Sequence, residues 1–154
     1  ALDIGLVTAL PFAAAAVAMV LVARHSDQRG ERRWHTVIPA LLGAVGLAAS
    51  VPLAQHTGLA LLALTVGACG VLCALVMSWS LTTALVQGAA AASGIALVNS
   101  FGNLSGFVGP YAIGYLKDTT GGTAPGVLML AASMVVGAAL VAREKKPASV
   151  KGAG

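Results

Sequence analysis

The side chains able to do chemistry in this sequence gather in a few places. The densest is Ala23-Arg24-His25-Ser26-Asp27-Gln28-Arg29-Gly30-Glu31-Arg32-Arg33, where four arginines meet two carboxylates within one short turn. Asp27 is placed to accept charge-assisted hydrogen bonds from a neighbouring Arg, and Gly30 permits a tight reversal, which is the chemistry of a latch. The competing reading is that Arg29, Arg32 and Arg33 simply hold the turn in water and headgroups. A second cluster is Asn99, Ser100 and Asn103. The two amides stand four residues apart, so on a helix they share a face and can bind either a polar solute or an adjacent helix.

Other reactive residue types point to less. Cys69 and Cys73 are also four apart, but no His or carboxylate lies near them in sequence to complete a metal site, and small apolar packing accounts for them. His25, His35 and His56 form no zinc-binding pair and fit the polar ends of apolar segments. No metal or cofactor is expected. A nucleophile and base, an embedded Asp pair or a His-Glu-x-x-His run is missing from the sequence, which ranks an intramembrane enzyme last.

The elements that position these residues follow from composition. Hydrophobic residues make up 58% of the 154 and charged residues 9%, with a mean hydropathy of +0.90. Soluble domains carry about a quarter charged residues, so the solvent for most of this chain is lipid. Uncharged runs cover 4–23, 34–116 and 119–142. A span needs about 20 residues, so the middle run holds three, divided by polar breaks at 52–58 and at Ser78 to Thr83. The expected architecture is all-α, a polytopic membrane helical bundle with about five transmembrane helices over 4–24, 36–54, 58–79, 86–116 and 124–142.

Charge then sets orientation. Arg24, Arg29, Arg32 and Arg33 share one side with Arg143, Lys145, Lys146 and Lys151, and only Lys117 lies on the other. Positive loops stay in the cytoplasm, so the 24–35 loop and the 143–154 tail are expected inside, and residue 1, the 55–57 turn and the 117–123 loop outside. The basic loop therefore reads as a topology and lipid signal, and no nucleic-acid partner is expected. Trp34 and Trp79 fall at the inner interface on this scheme and Tyr115 near the outer one.

The 86–116 segment is the span most suited to function. Its ~31 residues at ~1.5 Å each exceed a ~30 Å hydrocarbon core, so it must tilt, bend or begin outside. Pro110 supplies one bend, with Gly102, Gly106 and Gly109 beside it, and Pro11 is a similar point in the first span. Gly102-x-x-x-Gly106 is a close-packing signal, as are the small residues Ala89 to Ser93. Counting back from Lys117 puts Asn99, Ser100 and Asn103 near mid-bilayer, where they must face protein or water. They are the candidates for lining a central cavity, with helix-to-helix hydrogen bonding as the alternative.

The arginine-rich turn resembles the cytoplasmic signature loop of the major facilitator superfamily, in which a Gly is followed by Asp, a basic residue, Gly and a basic cluster. Asp27, Gly30, Arg32 and Arg33 match that pattern, whereas Ala23, Gln28 and Glu31 depart from it. The wider run Arg24 to His35, with Gly94-Ile95-Ala96-Leu97-Val98-Asn99-Ser100-Phe101-Gly102-Asn103-Leu104 through Tyr111 and Gly114-Tyr115-Leu116-Lys117-Asp118, is similar to the anion:cation symporter branch. The resemblance implies that the spans are the eighth to twelfth helices of a proton-coupled organic-anion symporter of the cell inner membrane. It also implies that the turn is a gate loop.

No formal charge falls inside any expected span, yet an anion needs a countercharge and a proton a titratable carrier. Those groups are expected in further N-terminal helices of the same transporter, and the opening Ala1-Leu2-Asp3, which runs straight into a span, agrees with a fragment unable to transport alone. The alternative is a small multi-span membrane protein with a structural or interaction role, distinguished by the gene sequence upstream of Ala1.

Overall fold

The computed structural model describes residues 2–86, 88 and 91–144. The basic residues Lys145, Lys146 and Lys151 of the tail, and Ala89 and Ala90, lie outside the described residues. Five helices follow one another: α1 (Leu2–Arg29), α2 (Arg33–Ser50), α3 (Thr57–Leu85), α4 (Ala91–Thr120) and α5 (Ala124–Arg143). The described residues contain no strand. Over Ala9–Arg29 of α1, and in α3 and α5, the helices are long and apolar enough to cross a membrane. Arg33 and His35 dilute α2, and Asn99, Ser100, Asn103 and Ser105 dilute α4.

Helix α2 is the hub. It packs along both α3 and α5, α1 packs on α3, and α4 leans on α5 with only marginal contact to α3. The turn joins α1 to α2 in sequence, yet the two helices scarcely touch along their lengths. The α2–α3 seam is made by glycines. A Cβ built on Gly46 would lie 2.4 Å from the Gly67 nitrogen, and one on Gly70 would lie 2.3 Å from the Gly43 nitrogen. Backbones this close gain dispersion contact without any hydrophobic drive, which is how helices associate in lipid. Beside the seam, Val37 and Ala40 of α2 meet Ala138 and Met134 of α5.

The close-packing signal expected at Gly102 and Gly106 meets no partner among the described residues. A Cβ on either of those glycines meets nothing within 4 Å, and no residue of α4 is buried. The glycines that bring two helix backbones together are Gly43, Gly46, Gly67 and Gly70 of α2 and α3, while Gly126 of α5 packs against Ile113 of α4.

Several boundaries also differ from the sequence expectation. Ser78 to Thr83 do not break the third helix, which continues to Leu85. Ser78 donates to the Leu75 carbonyl, Thr82 to Ser78 and Thr83 to Trp79, so the hydroxyls are satisfied by their own helix and impose no turn. The break comes later, at Gly88, whose φ of 73° a side chain would resist. Similarly, α1 runs through the charged residues to Arg29 and α4 through Lys117 and Asp118 to Thr120. Charge ends the hydrocarbon-compatible stretch, but water and headgroups allow the helix itself to go on.

Candidate functional site

The arginine-rich turn is built by a sharp reversal. Gly30 takes a φ of 61°, and the fully buried Ser26 donates its hydroxyl to the Glu31 carbonyl at 2.7 Å. The Glu31 carboxylate then caps α2: it accepts from the Trp34 N–H at 2.9 Å and stands 2.9 Å from His35 Nδ1. Partial burial works to raise the Glu31 carboxyl. The hydrogen bonds from Trp34 and His35 and the nearby imidazole outweigh that, and hold it below the ordinary value of 4.5.

The two arginines that follow reach across the bundle. Arg32 donates to the Ser80 carbonyl of α3 at 3.1 Å and lies 4.0 Å from the Asp27 carboxylate. Arg33 donates to the Ala142 carbonyl in the last turn of α5, with its guanidinium 5.5 Å from the Trp34 ring centroid. A cation at the C-terminal end of a helix meets unsatisfied carbonyls and the negative end of the dipole. The turn thus clasps the ends of α1, α2, α3 and α5 at one end of the bundle. It brings together Asp27, Gly30, Arg32 and Arg33, all four residues expected there.

Glu31 and Ser26 are residues of this clasp that sequence reading passed over. Glu31 stands where the signature pattern prefers a base, and its signal was available as an acid three residues before Trp34, at the start of a helix. The reach to Ser80 and Ala142 had no local signal, because those partners are 48 and 109 residues away.

The polar residues of α4 form a separate place. Asn99 and Asn103 are exposed on neighbouring turns, and among the described residues their amides have no hydrogen-bond partner. Ser100 is different, since its hydroxyl donates back to the Ala96 carbonyl at 2.8 Å. Phe101 and Phe107 on the same helix are 70% and 73% exposed. Helix α4 thus has no buried residue, with the two exposed amides about midway along it. The turn and the amides are not brought together, because α4 reaches the rest of the bundle chiefly through α5. Pro11 and Pro110 both sit inside continuous helices, and Gly106 opens onto empty space.

Cys73 is buried on the side of α3 that also buries Gly70 and Met77, and both cysteines are free thiols. Among the described residues no group of three or more His, Cys, Asp and Glu stands close enough to hold a metal ion.

Comparison with known proteins agrees with this architecture. Two proteins of Agrobacterium vitis, each named "Putative tartrate transporter", are 46% and 49% identical to the chain over 91% and 89% of its length. The "Putative metabolite transport protein NicT" of Pseudomonas putida is 31% identical over 90%. The chain spans about a third of the length of these relatives, 31% of the first two and 32% of the third. No solved structure matches it. The family model described as Major Facilitator Superfamily matches residues 1–154, and with these transporter relatives it shows that the chain belongs to the major facilitator superfamily of membrane transporters.

Proposed function

We propose that the chain forms most of the C-terminal half of a proton-coupled symporter for a small organic anion, working in the cell inner membrane with further N-terminal helices of the same transporter. The observation that carries this reading is the open face of α4, where Asn99 and Asn103 present free amides in a helix without a buried residue. With Ser100 between them, these amides line the passage and donate hydrogen bonds to a carboxylate or hydroxyl of the substrate. The relatives named for tartrate support a small hydroxylated dicarboxylate as the class of cargo.

The clasp at Asp27, Gly30, Arg32 and Arg33 serves as the gate loop on this reading, holding the cytoplasmic ends of four helices so that they rock as one body. Pro11, Gly106 and Pro110 are the points at which the moving helices yield. The basic turn and tail lie in the cytoplasm. The countercharge and the proton carrier come from the upstream helices, since none of the apolar segments of this chain holds a formal charge at depth.

The test is uptake of labelled tartrate by proteoliposomes containing the full-length transporter, with an imposed proton gradient and again after an uncoupler. Symport predicts accumulation that the uncoupler abolishes. Uptake indifferent to the gradient contradicts the coupling, and no uptake of any carboxylate contradicts the substrate class.

A further inference from the structure

Below the turn, α1 and α2 diverge and leave a groove of about 480 Å³ between them. Its walls are two helical stripes, Val22, His25 and Arg29 on α1 and Trp34, Ile38 and Leu42 on α2, each spaced at three or four residues so that they share a face. The wall on α2 is the side that the bundle leaves uncovered: Trp34, Ile38 and Leu42 are exposed, while Val37, Ala40 and Ala44 are buried among its neighbours.

The groove is graded along its length. Arg29 and the indole of Trp34 stand at the end nearest the turn, with His25 about 6 Å and Val22 about 10 Å further along α1, and Ile38 about 6 Å and Leu42 about 12 Å further along α2, at ~1.5 Å per residue. Its charge is graded as well. The one carboxylate on its wall, Glu31, is engaged by the Trp34 N–H and His35. Arg29 is exposed and, among the described residues, has neither an ion pair nor a hydrogen bond. The His25 and His35 rings stand 5.1 Å apart beside it. The whole turn holds four arginines against two carboxylates. A cationic mouth at headgroup level above an apolar trough is complementary to one amphiphile, a phosphodiester with a negative headgroup and acyl chains.

We propose that the α1–α2 groove is a binding site for an anionic phospholipid, its phosphate held by Arg29 and His25 beside Trp34 and one acyl chain lying over Val22, Ile38 and Leu42. This rests on the membrane embedding of the bundle and not on what is transported. The bound lipid fills the wedge between two helices that otherwise scarcely touch, and so ties the clasp to the leaflet.

The test uses the full-length transporter reconstituted with a trace of photoactivatable phosphatidylglycerol or, in parallel, photoactivatable phosphatidylcholine, the label being carried on the acyl chain. Peptides are then mapped by mass spectrometry. The expected result is labelling of the 22–42 segment by phosphatidylglycerol about fivefold above phosphatidylcholine, the ratio given by ~1 kcal/mol for one basic side chain at an anionic headgroup. Arg29→Gln brings the two lipids level on that segment and leaves labelling of α5 unchanged; His25→Ala lowers the ratio in part. Because Arg29 is exposed and uncontacted, its replacement leaves the bundle intact. Equal labelling by both lipids, an unchanged ratio in Arg29→Gln, or an unlabelled 22–42 segment because upstream polypeptide covers the groove would each overturn the proposal.

Discussion

At the scale of single residues, the turn works through Glu31 as much as through its arginines. Its carboxylate ends the N-terminal turn of α2 and holds His35 in place. Removing such a cap costs about 1 kcal/mol, so Glu31→Ala is expected to speed hydrogen exchange at the Trp34 amide about fivefold, as read by mass spectrometry. The carboxyl sits below its ordinary value in the folded state, so its stabilisation is complete above 4.5. It fades only as the pH falls through the lower folded-state value. The same exchange experiment at neutral pH and at pH 5.5 is therefore expected to give the same protection, and a loss between them would contradict the cap. On α4, Asn103→Ala and Asn99→Ala are each expected to raise the KM for a carboxylate substrate about tenfold by removing a hydrogen-bond donor worth ~1.4 kcal/mol. Ser100→Ala should change KM little, because that hydroxyl is already spent on Ala96. Asp27, Gly30, Arg32 and Arg33 were legible as a group because charge and glycine cluster in the chain itself. The destinations of Arg32 and Arg33 were not, since only the fold brings Ser80 and Ala142 beside them.

At the scale of elements, five helices and their order could be read from uncharged runs and turn residues. Their ends could not, because the expected ends track where charge begins, whereas helices end where the backbone must reverse, at Gly30 and Gly88. Ser78 to Thr83 misled for a related reason. Hydroxyl side chains signal turns in water, but within an apolar helix they bond to the preceding turn and leave it unbroken. Small-residue packing was expected at Gly102 and Gly106 of α4, which meet nothing among the described residues, whereas the closest backbone-to-backbone glycine contacts join α2 and α3. A spacing motif identifies a helix able to pack closely and does not say whether a partner faces it. Gly70→Ala is accordingly expected to destabilise the bundle by about 1–3 kcal/mol, since its methyl would meet the backbone of Gly43 and the Pro39 carbonyl and the helices must part. Gly137→Ala on α5 meets open space and should be neutral or stabilising by up to ~1 kcal/mol. Denaturant titration of helicity in detergent micelles separates the two.

At the scale of the whole molecule, the order α1, α3, α2, α5, α4 in space is an open sequence of packed helices. Its two ends are α1, which packs chiefly on α3, and α4, which has no buried residue. That openness agrees with a chain spanning about a third of the length of its relatives, and the amides of α4 have no hydrogen-bond partner among the described residues. Through the bonds to Ser80 and Ala142, the arginine turn lies at the same end of the bundle as the C-terminal ends of α3 and α5. The most direct test is thiol accessibility in cells producing the transporter, with Cys69 and Cys73 replaced by Ala and single cysteines introduced as Gln28→Cys, Gln55→Cys, Thr123→Cys and Glu144→Cys. A membrane-impermeant maleimide applied to intact cells should label positions 55 and 123 and reach 28 and 144 only after the membrane is opened. Labelling of 28 or 144 from outside, or of all four alike, would contradict an uncharged bundle that spans the bilayer with its arginine clasp on the inner face.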